Sequence, residues 1–272
     1  LLTIGSTGTI NATTSETLTC SGITVSNNLS TGTAKIVLSG GIWSGAGTLY
    51  NDLDIAGNVT VSGGVFFGSS HILTYVSGTV TTTSSTLQVQ VTGVTLNTAG
   101  ISWNNVTLGS TSITYTINSL LTITGTLTFP NTTNVTFAGT SGWTAGTISN
   151  PSTGATTVTL KNGIIYTITT AFNAFNSRTG GILVFTSDDG TLTATLILNR
   201  EATCNVLASF TRINATGGRP IITFNGVLTT TTNIVIQTDV AVNPPKYSRK
   251  FGRRKSIYNR PLQVQYVSVG CE

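Results

Sequence analysis

Apolar and hydroxyl residues take turns along short runs through most of the chain. Lys35-Ile-Val-Leu-Ser39, Asn58-Val-Thr-Val-Ser62, Leu87-Gln-Val-Gln-Val91, Thr126-Leu-Thr-Phe129, Thr156-Thr-Val-Thr-Leu160 and Thr193-Ala-Thr-Leu-Ile-Leu198 all follow it. Side chains on an extended backbone point to opposite faces in turn, so a period of two marks a strand with one face buried. Gly or Asn commonly follows each run, as turn chemistry requires. No stretch of a dozen residues carries helical periodicity. The pattern predicts an all-β protein built from short strands.

Internal similarity selects the architecture. Leu53-Asp-Ile-Ala-Gly-Asn-Val-Thr-Val61 aligns without a gap on Leu121-Thr-Ile-Thr-Gly-Thr-Leu-Thr-Phe129, matching four apolar positions and one glycine. A glycine-containing turn precedes Trp43, Trp103 and Trp143. Such imperfect repetition predicts a parallel β-solenoid (β-helix) with roughly 20–25 residues per coil, inward positions apolar and outward ones Thr or Ser. A pair of β-sandwiches is the alternative, with the same strand pattern but hairpin connections. Hairpin signals are few: Asp189-Gly190, Asn162-Gly163 and Asn225-Gly226. Residues 1–154 are expected to form the repeating coils. Residues 155–240, with larger side chains and most of the body's charge, would be wider terminal coils or a small β domain.

Composition sharpens this picture. Only 8% of the 272 residues are charged, while 39% are hydrophobic and mean hydropathy is +0.25; an ordinary domain has about 25% charged residues. The surface must therefore be mostly hydroxyls and amides, whose solvation depends little on pH or salt. The net charge of +5 is unevenly placed. Residues 1–240 hold six Lys or Arg against seven Asp or Glu, whereas residues 241–272 hold seven against one. That last segment contains Lys246, Arg249, Lys250, Arg253, Arg254, Lys255 and Arg260, opens with Asn243-Pro-Pro245 and ends in the alternating run Leu262–Val269. Adjacent prolines hold a chain extended. The segment thus reads as a basic arm ending in a strand, suited to anchoring on an acidic patch of a partner subunit or to strand addition. Phosphate or acidic-lipid binding by the same residues is the lesser expectation.

Candidate chemistry is sparse. Asp52 and Asp54, two apart on a strand, share a face, but two carboxylates there are more simply a solvated pair than an acid and base. Asp188 and Asp189 before Gly190 are turn residues first and calcium ligands second. His71 is the only histidine, with no Ser–Asp partner or second metal ligand near it in sequence. Cys20, Cys204 and Cys271 are too scattered for a disulfide framework or a metal site, and Cys20 and Cys204 are expected to be buried small hydrophobes. There is no cofactor fingerprint. We expect no catalytic residue, no cofactor and no metal. No run approaches the ~18 apolar residues of a membrane span. The chain lacks Met and starts at Leu1, so loss of the original N-terminus, with any leader, is expected.

The phrases Gly100-Ile-Ser-Trp-Asn-Asn-Val-Thr107 and Leu120-Leu-Thr-Ile-Thr-Gly-Thr-Leu-Thr128 resemble those of bacteriophage structural proteins of the tail-fibre and capsid-decoration kind. Gly163-Ile-Ile-Tyr-Thr-Ile168 and Thr211-Arg-Ile-Asn-Ala-Thr-Gly-Gly218 add to the likeness, which spans roughly residues 35–235. It implies a β-helical, often trimeric virion component exposed at the surface, and carries over no catalytic residue. The basic Pro-containing arm departs from the fibre pattern. The expected function is a rigid surface scaffold: a fibre, spike or decoration protein anchored through residues 241–272. Its partners would be copies of itself, other virion or surface proteins, and a host glycan. A secreted bacterial adhesin or extracellular filament subunit assembling by strand exchange is the alternative, and a carbohydrate-degrading β-helix enzyme is disfavoured by the shortage of acids.

Overall fold

A computed structural model describes residues 2–4, 16–26, 34–68, 70–89, 91–109, 112–130, 134–151, 155–173, 183–204, 208–224 and 228–237. The regular elements among them are all strands, and every strand pairing is parallel. Hairpins pair strands in antiparallel fashion, so the sandwich alternative fails and the fold is a β-solenoid. The described strands belong to one compact unit, Leu1–Gln237. The second unit, Thr238–Glu272, lies outside the described residues.

Each coil lays down up to three flat runs. In one coil Leu53–Ser62 supplies the first two, bending at Gly57, and Gly64–Phe67 supplies the third. The next coil repeats them as Ile72–Tyr75, Val80–Thr81 and Thr86–Val89, the one after as Val94–Asn97, Ser102–Trp103 and Asn105–Leu108. Register fixes the stacking. On the first face Ile36 pairs with Leu53, Leu53 with Leu73, Leu73 with Leu96 and Leu96 with Ile117. On the third, Val65, Leu87, Val106, Leu127, Ile148 and Phe172 form a column in which every member is buried. The paired partners lie 17 residues apart at Ile36–Leu53, 20 at Leu53–Leu73, 27 at Thr156–Leu183 and 30 at Ile165–Thr195. Coil length thus varies more widely than the sequence pattern indicated. Extra residues are inserted between flat runs, where register is not at stake.

The internal similarity has a different origin from the one expected. Leu53–Ser62 spans the first and second faces, whereas Leu121–Thr128 spans the second and third. The two segments are therefore not whole coils apart. They share a local device: two inward residues, a corner glycine, two inward residues. At Gly57 a Cβ would collide with the Ser39 carbonyl of the preceding coil, and at Gly125 with that of Asn104. An asparagine beside each corner then ties it to its neighbour: Asn58 Oδ1 accepts from Thr79 N–H at 2.9 Å, and Asn105 Oδ1 accepts from Thr126 N–H at 2.9 Å.

The core runs without interruption through the coils. All three tryptophans lie in it, and Trp43 meets Trp103 edge to face with ring centroids 6.4 Å apart. Further along, Tyr115, Phe137, Trp143 and Tyr166 pack together, and Phe172, Phe185 and Phe210 follow. Burying a side chain of this size stabilises by roughly 1.5–3 kcal/mol. The indole N–H groups of Trp103 and Trp143 are buried with no acceptor among the described residues; each forfeits about 1–3 kcal/mol. Ring volume, not hydrogen bonding, is what these positions contribute.

Substituting Gly57→Ala or Gly125→Ala should each lower unfolding free energy by about 1–3 kcal/mol, because the coil above must shift. Gly190→Ala, with open space at its Cβ, should stay within about 0.5 kcal/mol of wild type. Urea unfolding followed by circular dichroism measures all three, and equal effects would contradict the corner assignment.

Candidate functional site

Charged side chains on the first face pair between coils. Asp52 and Asp54 both point outward, as their spacing indicated, but each is drawn to a different neighbour. Asp54 Oδ2 meets Lys35 Nζ of the preceding coil at 3.1 Å. Asp52 Oδ1 meets His71 Nδ1 of the following coil at 3.3 Å and accepts from Ile72 N–H at 2.9 Å. Sequence reasoning left His71 without a partner because Asp52 is 19 residues away; only the coil repeat brings them together. The arrangement laces three coils.

A second group lies further along the same face. Lys161 Nζ reaches Asp188 Oδ2 at 2.8 Å, and Asn162 donates to Asp188 Oδ1 from its backbone at 2.7 Å and from its amide at 3.0 Å. Partial burial alone would raise the Asp188 carboxyl; the Lys161 and Asn162 donors outweigh it and hold that carboxyl below the usual range. Asp189 Oδ1 accepts from Leu192 N–H, Thr191 N–H and the Thr191 hydroxyl, which brings its pKa down to about 2. One oxygen of Asp189 thus organises the Thr191–Leu192 turn, and Asp188 is an ion-pair partner. Each carboxylate has a structural task, and calcium is not needed to explain either. Among the described residues no three His, Cys, Asp or Glu side chains gather as metal ligands.

Below this pair, the buried Tyr166 hydroxyl accepts from Lys161 N–H at 3.1 Å. Burial is the main reason its pKa is pushed up to about 12, the Lys161 hydrogen bond working against it and nearby Asp188 with it. Burial likewise raises Tyr115, whose hydroxyl donates to the Val89 carbonyl at 2.6 Å. Cys20 is half-buried against the core and its thiol is pushed up by burial. Of Cys204 the structure describes only the backbone, in strand Thr203–Cys204. Cys271 and the basic residues Lys246, Arg249, Lys250, Arg253, Arg254, Lys255 and Arg260 lie outside the described residues.

What the fold arrays most regularly is neutral. On the first face Thr114, Thr136, Thr159, Thr186, Thr211 and Thr229 follow one another in register across six coils. On the third face Gln88, Thr107, Thr128 and Ser149 form one outward column, and Thr86, Asn105, Thr126 and Thr147 another beside it. Ser102, Thr122, Thr144 and Thr167 line the second. Successive members sit one strand spacing apart, about 4.8 Å. Such columns present hydroxyl and methyl groups at fixed intervals on a stiff support. The columns carry no ionisable side chain, so they offer shape and hydrogen bonds rather than charge.

Comparison with protein-family models, with curated proteins and with solved structures found no match.

The titrations make a signed prediction. A tyrosine titrating near 10.0 when unfolded and about 12 when folded contributes stability that is whole below pH 10 and lost as pH rises through 12. Asp189, near 3.8 unfolded and about 2 folded, contributes stability present above pH 4 and lost as pH falls through 2. Melting temperature should therefore fall on the acid side below pH 4 and on the alkaline side, where the raised Cys20 thiol, ordinarily 9.0, begins the loss before the buried tyrosines extend it. Tyr166→Phe should remove part of the alkaline fall, observed by thermal melts and by tyrosinate absorbance. A midpoint for all tyrosines near 10 in the folded protein would contradict the burial of Tyr115 and Tyr166.

Proposed function

We propose that this chain is a non-catalytic structural protein of a virion or extracellular surface, a rigid β scaffold of the fibre, spike or capsid-decoration type. The observation that carries the reading is the uninterrupted stack: one core, in-register coils, and outward faces tiled with hydroxyl columns. Stacked coils resist bending because the strand-to-strand backbone hydrogen bonds join one coil to the next, so local flexing breaks several at once. The neutral faces suit surroundings of changing pH and ionic strength, where charged surfaces would alter their interactions. The carboxylates that could have supported hydrolysis are engaged in coil-to-coil pairs and a turn, which favours a structural role for them.

Attachment falls to residues 241–272 in this reading. Their seven Lys or Arg provide a sequence-encoded contrast with the neutral body and would dock on an acidic surface of a partner subunit. Assembly with copies of the same chain belongs to this reading, and the size of the particle in solution tests it.

Light scattering on the full chain and on a chain ending at Gln237 tests the proposal. Discrete trimers for the full chain, reduced to monomers by the truncation, are expected. Open-ended polymers that vanish on truncation would favour an extracellular filament subunit instead. Saccharide release from a polysaccharide substrate, abolished by Asp52→Asn, would overturn the non-catalytic reading.

A further inference from the structure

The third face changes character at its early coils, and the change builds a groove. There the outward column begins Thr48, Phe66, Gln88, where later coils place Thr107, Thr128 and Ser149. Among the described residues the large aromatics are otherwise mostly buried. Phe66 points outward and is half-buried beside Tyr50, also half-buried. Thr48, Tyr50, Phe66, Phe67, Gln88 and Val91 enclose a groove of about 170 Å³.

Two glycines make the groove possible. The Tyr50 ring lies over Gly68, where a Cβ would collide with it. The Gln88 amide swings over Gly64, where a Cβ would come within 2.9 Å of Nε2. Tyr50 thus lies across the coil that follows it and Gln88 across the coil that precedes it. Among the described residues the lining then combines three aromatic residues, a valine, a hydroxyl and an amide, and contains no ionisable acid or base apart from the tyrosine hydroxyl. An amide has two donor hydrogens and an acceptor oxygen, and a threonine hydroxyl both donates and accepts.

We propose that this groove binds one unit of a neutral, linear polysaccharide whose chain continues along the solenoid axis. A sugar ring has an apolar face of C–H groups and a rim of hydroxyls, and the lining supplies an aromatic surface for the first and amide and hydroxyl partners for the second. The described lining residues hold no cation, so they offer a phosphate-bearing or acidic ligand no charge-assisted partner. The volume is below the ~300–1,000 Å³ that encloses a whole drug-sized ligand, so the groove grips a single unit of something longer. Beyond it, the columns Gln88–Thr107–Thr128–Ser149 and Thr86–Asn105–Thr126–Thr147 extend the strip of amides and hydroxyls at about 4.8 Å per coil. The site goes beyond the scaffold reading: loss of binding leaves the size and stiffness of the particle untouched, and those are measured separately.

The test is affinity electrophoresis of the full chain in gels cast with hydroxyethylcellulose, galactomannan or dextran, with alginate as the charged control. At least one neutral polymer should retard the protein. Phe66→Ala and the volume-conserving Gln88→Leu should each weaken that retardation by ten-fold or more, while Phe66→Tyr preserves it and circular dichroism shows each variant folded. No retardation by any neutral polymer overturns the proposal, as does retardation by alginate alone. It is equally overturned if both Phe66→Ala and Gln88→Leu bind like wild type. Displacement of the bound polymer by its free monosaccharide at equal sugar concentration would overturn the extended strip.

Discussion

Every coil of this protein is bound to the next by parallel backbone hydrogen bonds, and that ladder constrains all else. A parallel pairing sets like beside like: a residue lies directly over its counterpart about 4.8 Å away. Inward positions are then mostly apolar in coil after coil; buried polar exceptions such as Thr156, Ser187 and Thr223 occur, and the Thr223 hydroxyl donates to the Ala208 carbonyl. Outward positions face a parallel demand. Like charges stacked at that spacing repel, whereas threonines stack without cost. The low charge of the body follows from the geometry. Three of the charged side chains of the body reach across to a neighbouring coil, in Lys35–Asp54, Asp52–His71 and Lys161–Asp188.

The corners carry the remaining freedom. Flat runs must keep register, so changes in coil length are absorbed where the chain turns, and partners 17 residues apart at one point are 30 apart at another. The corners are also the tightest places. Gly57 and Gly125 let the backbone of one coil touch a carbonyl of its neighbour, and Asn58 and Asn105 satisfy backbone N–H groups that the bend releases. The solenoid is thus rigid along its faces and adaptable between them. Its core accepts two unsatisfied indole N–H groups because filling the interior with large rings outweighs them.

Function, in the reading proposed above, follows from this division of labour. The first face, with six threonines in line and its charges paired, is a uniform wall. The third begins with Phe66, with Tyr50 over Gly68 and Gln88 over Gly64, and continues as amides and hydroxyls, so it offers an apolar contact and a polar track side by side. A scaffold of this construction can change its surface one coil at a time without disturbing its core, since inward and outward residues alternate.

Much of the fold was legible in the sequence. The two-residue period and the scarcity of helix formers determine an all-β structure, because side-chain direction on a strand is a local property, and the poverty of hairpin signals favoured stacking over the sandwich that the parallel pairing then excluded. Outward Asp52 and Asp54 follow from the same rule. The partner of each side chain across coils was not legible. Asp52 meets His71, and Tyr50 covers Gly68, only once coil lengths are known, and those vary because corners tolerate insertions. The match between residues 53–61 and 121–129 illustrates the limit: sequence records the shared bend around a corner glycine, while the tertiary stack alone decides which two faces that bend joins.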